Sequence, residues 1–207
     1  GLPGQNCPDS TLYIVGLPIG NLGDITLRAL WILALADVVA AEDTRETRKL
    51  LDKFGISVKL LSVREHNERH GAEQIIELLQ EGKKVALVTD AGTPCVSDPG
   101  ARAVKAVREA GFRVIPVPGA SAVVTALSGA GLDGSGFAFV GFVPPQSKAR
   151  RNALAYWLAR PEPFVLYEAP HRVVDLLEDL AAAMEPERRV VVAREITKKF
   201  ETFSSLT

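Results

Sequence analysis

Residues 11–24 read TLYIVGLPIGNLGD, an apolar run that leads directly into a turn rich in glycine. The run predicts a buried strand over Leu12–Val15, and Gly16, Gly20 and Gly23 predict a loop after it. These glycines are separated by three and two residues, which differs from the G-x-G-x-x-G spacing of dinucleotide-binding turns. A strand that ends in such a loop is typical of an open α/β sheet, where ligands bind at the carboxyl ends of strands.

Strand and helix patterns alternate along the rest of the chain, beginning with a helix that Thr26 can cap. The further predicted strands are Val38–Ala41, Val58–Leu61, Val85–Thr89, Val114–Val117, Phe137–Phe142, Phe164–Tyr167, Val190–Ala193 and Thr202–Ser205. The further predicted helices lie around Ala72–Leu79, Gly100–Ala110, Ala120–Leu127, Lys148–Leu158 and Val173–Met184. Fully apolar strands between helices predict an α/β fold with a parallel, doubly wound sheet in the first half.

We expect three segments: a flexible leader over residues 1–10, an N-terminal α/β domain over 11–118, and a C-terminal α/β domain over 119–207. The boundary is placed at the Pro116–Gly119 turn, which interrupts the alternation. In the second domain the strands are fewer and more widely spaced, which predicts a mixed sheet with helices.

Composition narrows the classes of function. The chain of 207 residues has 47% hydrophobic residues and a formal net charge of −1, which exclude a disordered chain and a broad cationic surface, although a local basic patch is compatible with both. Cys7 and Cys95 are too far apart for a zinc ribbon or a disulfide framework, and they suit a reducing cytoplasm. The longest apolar stretch, near Ala29–Ala41, contains Asp37 and is too short to span a membrane.

Three loops rich in small residues follow predicted strands: residues 16–24, Asp90–Gly100 and Pro118–Ala122. Together they predict a cleft for a small molecule, since glycines let the backbone approach a ligand and a helix start favours an anion. Each loop alone is equally compatible with a tight turn.

Polar clusters also follow strands, at Glu42–Arg45, His66–His70 and Tyr167–Arg172. Each cluster, taken alone, is also explained by helix capping and by the solvated charges of a loop, without any functional role. His66 and His70 have the i, i+4 spacing of a metal pair, but Glu68 is the one carboxylate nearby and would point off that face, so we predict no metal. The basic run Lys148–Arg151 is either a solvated helix face or a phosphate contact.

In their order, the motifs LYIVGLPIGNLGDIT, AAEDTR, REHNE, VTDAGTPCVSDPG, PGASA and LYEAPHR resemble the bacterial small-subunit ribosomal RNA methyltransferase I family of the tetrapyrrole methylase superfamily. The resemblance covers residues 11–200. It implies two α/β domains with S-adenosylmethionine between them, a homodimer, and methylation of a cytidine 2′-oxygen at the decoding centre of 16S rRNA. It also implies a second domain cut short at Thr207, because family members continue for several further elements.

Site residues are carried over by position. The resemblance implies cofactor contacts for Leu17, Pro18, Asp90, Gly92, Thr93, Pro94, Val96, Ser97, Ser121, Ala122, Tyr167, Glu168, Ala169 and Pro170. Where the family commonly has Ala-Thr-Pro, this chain has Gly16-Leu17-Pro18, so a hydroxyl at position 17 is missing.

A base for the 2′-hydroxyl is expected among Glu168, His66 and Glu68, with Glu42 and Asp43 as further candidates, unless solvent takes the proton. RNA phosphate contacts are expected from Arg45, Arg64, Arg69, Lys148, Arg150, Arg151 and Arg172, with Lys198 and Lys199 as further candidates.

Three other functions remain open at this point. A tetrapyrrole C-methyltransferase shares the fold and the cofactor loops, but the EDTR, HNE and YEAPHR segments favour the RNA enzyme. The glycine spacing counts against a nicotinamide-dependent dehydrogenase. A non-enzymatic RNA-binding module is disfavoured because the polar residues cluster around loops that suit a small ligand.

Overall fold

The computed structural model describes residues 2–97, 100–134 and 136–206. The chain divides into two compact units, Gly1–Ala122 and Val123–Thr207, which are described separately below. The division lies four residues after Pro118, where the sequence pattern placed the domain boundary.

The elements alternate along the whole chain. The strands are β1 (Thr11–Val15), β2 (Val38–Ala41), β3 (Lys59–Ser62), β4 (Lys84–Leu87), β5 (Arg113–Val117), β6 (Ala138–Phe142), β7 (Phe164–Tyr167), β8 (Val190–Arg194) and β9 (Thr202–Leu206). The α-helices are α1 (Leu27–Leu35), α2 (Thr44–Lys53), α3 (Glu68–Gln80), α4 (Ala101–Glu109), α5 (Ala122–Ala130), α6 (Ser147–Leu158) and α7 (Val173–Ala183). Further 3-10 turns occupy Leu22–Asp24, Glu65–Asn67 and Pro170–Arg172.

The N-terminal unit is built on a five-stranded sheet in the order β3-β2-β4-β1-β5. All of its strand pairs are parallel, and Tyr13 of β1 lies between Ala86 of β4 and Ile115 of β5. The predicted α/β fold with a parallel sheet is confirmed.

Alternate residues of the central strands point to opposite faces, and each face has its own core. Tyr13 and Val15 pack in one core, with apolar residues of α1 and with Leu51 of α2. Leu12 and Ile14 pack in the other core, which contains the apolar residues of α3 and α4. Two cores explain why these strands carry apolar residues on both faces.

The path of the chain creates a crevice at the carboxyl edge of this sheet. From β1 the chain moves outward to β2 and β3, and it returns through β4 to finish at β5 on the other side. Helices α1 and α2 therefore cover one face, and α3 and α4 cover the other. The loops after β1 and β4 leave neighbouring strands towards opposite faces, which is the arrangement that opens a ligand crevice in sheets of this class.

Residues 7–9 are attached to the N-terminal unit, which differs from the flexible leader expected there. Cys7 packs against the first core, and the Tyr13 hydroxyl donates a hydrogen bond to the Pro8 carbonyl oxygen at 2.6 Å. The Lys84 ammonium lies 2.5 Å from an Asp9 carboxylate oxygen, and this hydrogen bond raises the pKa of Lys84.

The C-terminal unit contains both strand orientations expected of a mixed sheet, divided between two small sheets. Strands β6 and β7 are parallel, and β8 and β9 are antiparallel. A small core of Val143, Leu154, Leu176 and Leu180 joins α6 and α7 to the first of these sheets. Within the described part of the chain, no helix is both long and apolar enough to cross a membrane.

Candidate active site

Three loops of the N-terminal unit meet at the carboxyl edge of the sheet. The loop after β1 and the loop after β4 are joined by a two-way backbone contact between Leu17 and Gly92. Each of these residues donates its N–H to the other's carbonyl oxygen, and both distances are 3.0 Å. The contact fixes the two loops at the point where the strand order opens the crevice.

The loop after β5 joins the other two through a close approach of glycines. A Cβ placed on Gly16 would lie 3.0 Å from the Cα of Gly119, so neither position has room for a side chain unless the backbone moves. The Thr93 hydroxyl donates a hydrogen bond to the Ala120 carbonyl oxygen at 2.9 Å. Sequence reasoning did not select Gly16 and Gly119 as site residues. The sequence did contain a signal for this contact, because Gly16 and Gly119 each follow within two residues of the end of a strand, β1 and β5.

The loop after β4 has an unusual backbone path. Gly92 has a φ of 78°, and a Cβ there would lie 3.3 Å from Cγ2 of Ile19. Cys95 has a φ of 69°, in the left-handed region that disfavours residues with a Cβ. Backbone strain of this kind costs about 1–3 kcal/mol per residue and persists where the surroundings impose it, often at ligand sites.

The predicted cofactor residues of this unit contribute in two ways. Leu17, Pro18, Gly92 and Pro94 are buried and shape the loops. The missing hydroxyl at position 17 is thus replaced by a side chain that packs in the first core. The remaining ones border the edge: Asp90, Val96 and Ser97 are exposed, and Thr93, Ser121 and Ala122 are half-buried. Asp98 and Pro99 of the same motif lie outside the described residues.

Glu68 holds the far end of the loop after β4 in place. It begins α3, only 11% of its side chain is exposed, and its carboxylate accepts a hydrogen bond from the N–H of Gly100 at 3.2 Å. Gly100 is the N-cap of α4, so the carboxylate lies where it stabilises the start of that helix. Its other oxygen is 3.5 Å from Nε of Arg102. Glu68 is therefore engaged in positioning, whereas His66, in the turn before it, is exposed.

Substituting Glu68→Ala is expected to lower the free energy of unfolding by about 0.5–2 kcal/mol, as loss of a helix cap does. Glu68→Gln keeps an acceptor oxygen, so it should lower the free energy of unfolding by a smaller amount. Urea denaturation measures both, with Glu73→Ala on the exposed side of the same helix as the control. If Glu68→Ala unfolded like the wild type, the capping role would be wrong.

The predicted polar cluster Tyr167–Arg172 lies at the end of β7, in the C-terminal unit. The Glu168 carboxylate accepts a hydrogen bond from the N–H of Ala169 at 2.8 Å, and the side chain is half-buried. The ring of Tyr167 packs edge-on against Phe139 and Phe142, with centroids 5.1 and 5.8 Å away. Pro170 starts the 3-10 turn that leads into α7, and Nε of Arg172 lies 3.2 Å from Nε2 of His171.

Most of the predicted RNA-binding cations are accessible. Arg45, Arg64, Arg69, Lys148, Arg151, Lys198 and Lys199 are exposed, and Arg172 is half-buried. Arg150 differs from these cations, because only 8% of its side chain is exposed and its Nε lies 2.6 Å from an Asp179 carboxylate oxygen. Arg150 also donates from Nη1 to the Pro145 carbonyl oxygen, so two of its nitrogens are bonded inside the unit.

His66 and His70 belong to different elements, the turn Glu65–Asn67 and helix α3. Over residues 2–97, 100–134 and 136–206, no group of three or more His, Cys, Asp or Glu is placed to hold a metal ion.

Comparison with known proteins assigns the family. The family model described as Tetrapyrrole (Corrin/Porphyrin) Methylases matches residues 11–207. A Ribosomal RNA small subunit methyltransferase I of Neisseria meningitidis serogroup B is 58% identical over 197 residues, which cover 95% of this chain and 67% of that relative. The protein of the same name from Escherichia coli O157:H7 is 52% identical, and the match covers 92% of this chain and 67% of that relative.

The chain belongs to the tetrapyrrole methylase family. It is a methyltransferase, and these two relatives are rRNA enzymes by name. Solved structures of the tetrapyrrole methylase family agree in fold. Uroporphyrin-III-C-methyltransferase from Thermus thermophilus has a TM-score of 0.62 at 26% identity, covering 95% of this chain and 84% of that one. Cobalt precorrin-4 methyltransferase has a TM-score of 0.68 at 20% identity, covering 96% of this chain and 85% of that one. At this identity the likeness shows the fold alone.

Proposed function

We propose that this tetrapyrrole methylase transfers a methyl group from S-adenosylmethionine to the ribose 2′-oxygen of a cytidine in the decoding region of 16S rRNA. The observation that carries the RNA assignment is the 58% identity to a relative named as an rRNA methyltransferase over nearly the whole chain. The joined loops after β1, β4 and β5 support the cofactor assignment.

The residues at these loops fit the chemistry of S-adenosylmethionine. The exposed carboxylate of Asp90 suits a cationic or hydroxyl-rich ligand, and the half-exposed side chain of Val96 suits its apolar parts. Gly16 and Gly119 let the loops after β1 and β5 lie in backbone contact, and Gly92 adopts a φ of 78°, so backbone groups of the three loops are gathered at this edge. Bound there, the cofactor would supply an electrophilic methyl group on a sulfonium.

The protein's own contribution is alignment and proton removal. In the transfer a C–O bond forms at the 2′-oxygen as the C–S bond breaks, and the hydroxyl proton leaves. An in-line displacement gains much of its rate from orientation, which the fixed loops would provide. Glu168 or His66 would accept the proton, or water would accept it. Exposed arginines such as Arg45 would hold flanking phosphates.

A second candidate is a C-methyltransferase for a tetrapyrrole. The match to the Thermus uroporphyrin-III enzyme, with a TM-score of 0.62 at 26% identity, favours it. The rRNA relatives are about twice as similar in sequence, so we rank it second.

The test is methylation of small ribosomal subunits from a strain that lacks this modification, with labelled cofactor, followed by digestion to nucleosides. We expect label in 2′-O-methylcytidine. Label in a tetrapyrrole precursor but not in the subunits would favour the second candidate, and label on a base carbon or nitrogen would contradict 2′-oxygen transfer.

Replacing the base is expected to slow chemistry by about 10²–10⁴-fold, the range for general acid–base catalysis. Glu168→Gln and His66→Gln would be compared in single-turnover reactions with saturating cofactor and subunits, with His70→Gln as an exposed control. Rates within a few-fold of wild type for both variants would leave water as the acceptor.

A further inference from the structure

A basic groove runs along the outer edge of the N-terminal sheet. Its open volume is about 620 Å³, and the residues that line it are Thr44, Arg45, Arg48, Lys49, Leu60 and Ser62. We call it the α2–β3 groove, because every lining residue belongs to α2 or to the edge strand β3. Among the described residues, the lining contains three cations, two hydroxyls and no carboxylate.

Two of the cations, Arg45 and Lys49, are accessible to an anion from solvent. Arg45 is exposed, and its guanidinium has no ion pair within the described part of the chain. Lys49 pairs with Glu46 at 3.0 Å, but its side chain is 70% exposed. A pair as exposed as this contributes little, so a phosphate can compete for the ammonium.

The third cation is held in place. Nη2 of Arg48 donates to the Val58 carbonyl oxygen at 2.6 Å, which fixes the guanidinium beside β3. The positive character of the groove comes from these side chains and not from the start of α2, since the Asp43 carboxylate already accepts from the N–H groups of Arg45 and Glu46. A preorganised guanidinium beside two exposed cations suits a phosphodiester backbone.

The groove begins at the edge of the sheet where the three loops meet. Thr44 starts α2 and Ser62 ends β3, and both lie at carboxyl ends of parallel strands. Strand β3 is two positions from β4, which places its end about 10 Å from the end of β4. RNA with its target ribose at the loops would therefore carry flanking phosphates towards this groove.

We infer that the α2–β3 groove binds the sugar–phosphate backbone of the RNA substrate beside the target nucleotide. The inference rests on the proposed function and assigns Arg48 and Lys49, which sequence reasoning missed, to the substrate contact. The signal was present in the i, i+3, i+4 spacing of Arg45, Arg48 and Lys49, which places them on one helix face. A peptide strand added to the short β3 is the competing occupant, but the lining has one apolar residue, Leu60, and three cations.

The test compares Arg45→Gln/Lys49→Gln with Lys105→Gln/Arg108→Gln, a control that removes the same charge from exposed positions on α4, across the sheet. Binding to protein-free 16S RNA and to small subunits is measured against salt concentration. Loss of one phosphate contact reduces the slope of log K against log[salt] by about 0.7 on single strands, so we expect a reduction of about 1.4. We also expect a roughly tenfold weaker affinity at low salt, with unchanged cofactor affinity.

The inference would be overturned if the Arg45→Gln/Lys49→Gln variant bound RNA with the wild-type affinity and the wild-type salt slope. This outcome does not depend on whether the wild type methylates the subunit. An effect on subunits but not on protein-free RNA would also overturn it, because the groove would then contact ribosomal protein. A wild type that fails to methylate subunits, while its RNA binding depends on the groove, would reject the proposed reaction and leave the groove as an RNA site.

Discussion

Arg150→Ala is expected to destabilise the C-terminal unit by about 3–5 kcal/mol, the cost of removing one partner from a buried ion pair. The guanidinium joins α6 to Asp179 of α7 at 2.6 Å, and the two side chains are 8% and 17% exposed. Without it, the Asp179 carboxylate would be left beside the small core of this unit with no cation. Urea denaturation, followed by a probe in the C-terminal unit, measures the loss.

Two controls separate this role from the RNA contact first predicted for Arg150. Arg151→Ala removes an exposed neighbouring charge and should change the free energy of unfolding by less than about 0.5 kcal/mol. The double variant Arg150→Met/Asp179→Leu removes both charges and should recover most of the stability. A stable Arg150→Ala protein with weakened RNA binding would contradict the structural role.

Gly92→Val is expected to weaken S-adenosylmethionine binding by roughly 100-fold. Valine is disfavoured at a φ of 78°, and its Cβ would lie 3.3 Å from Cγ2 of Ile19. Strain of about 3 kcal/mol, relieved by moving the loop away from Leu17, corresponds to about two powers of ten in affinity. Titration calorimetry with the cofactor measures the change.

Gly111→Val is the matched control for Gly92. Gly111 has a φ of 86°, but a Cβ there meets nothing within 4 Å, and the residue lies after α4, away from the three loops. It should carry a similar backbone penalty in stability without a loss of cofactor affinity. If Gly92→Val and Gly111→Val lost cofactor affinity equally, the loss would come from general destabilisation and not from the loop after β4.

The sheet of the N-terminal unit was predictable because its signal is local. Each strand is a short apolar run and each apolar stripe has a helical period, so strand β2 was predicted with its observed bounds, Val38–Ala41. The two cores explain these patterns directly. The loops after β1, β4 and β5 could be located for a similar reason, since glycine and proline mark them in the sequence.

Pairings between distant residues could not be predicted in this way. Arg150 stands in a basic run that resembles a solvated face, and only the fold brings Asp179 to it. In the sequence, Glu68 is one member of a polar cluster, and only the fold brings the N–H of Gly100 to its carboxylate. Helix α2 was missed because few of its residues are apolar; Thr47 and Leu51 are its buried ones.

The most direct test of the central claim is hydrogen exchange of the wild-type protein with and without saturating S-adenosylmethionine, because exchange locates binding along the backbone. We expect protection in peptides that cover residues 16–23, 90–97 and 118–122, the three loops joined by Leu17, Gly92, Gly16 and Gly119. Unchanged exchange in all three, or protection confined to the C-terminal unit, would contradict the assignment of the cofactor to this edge of the sheet.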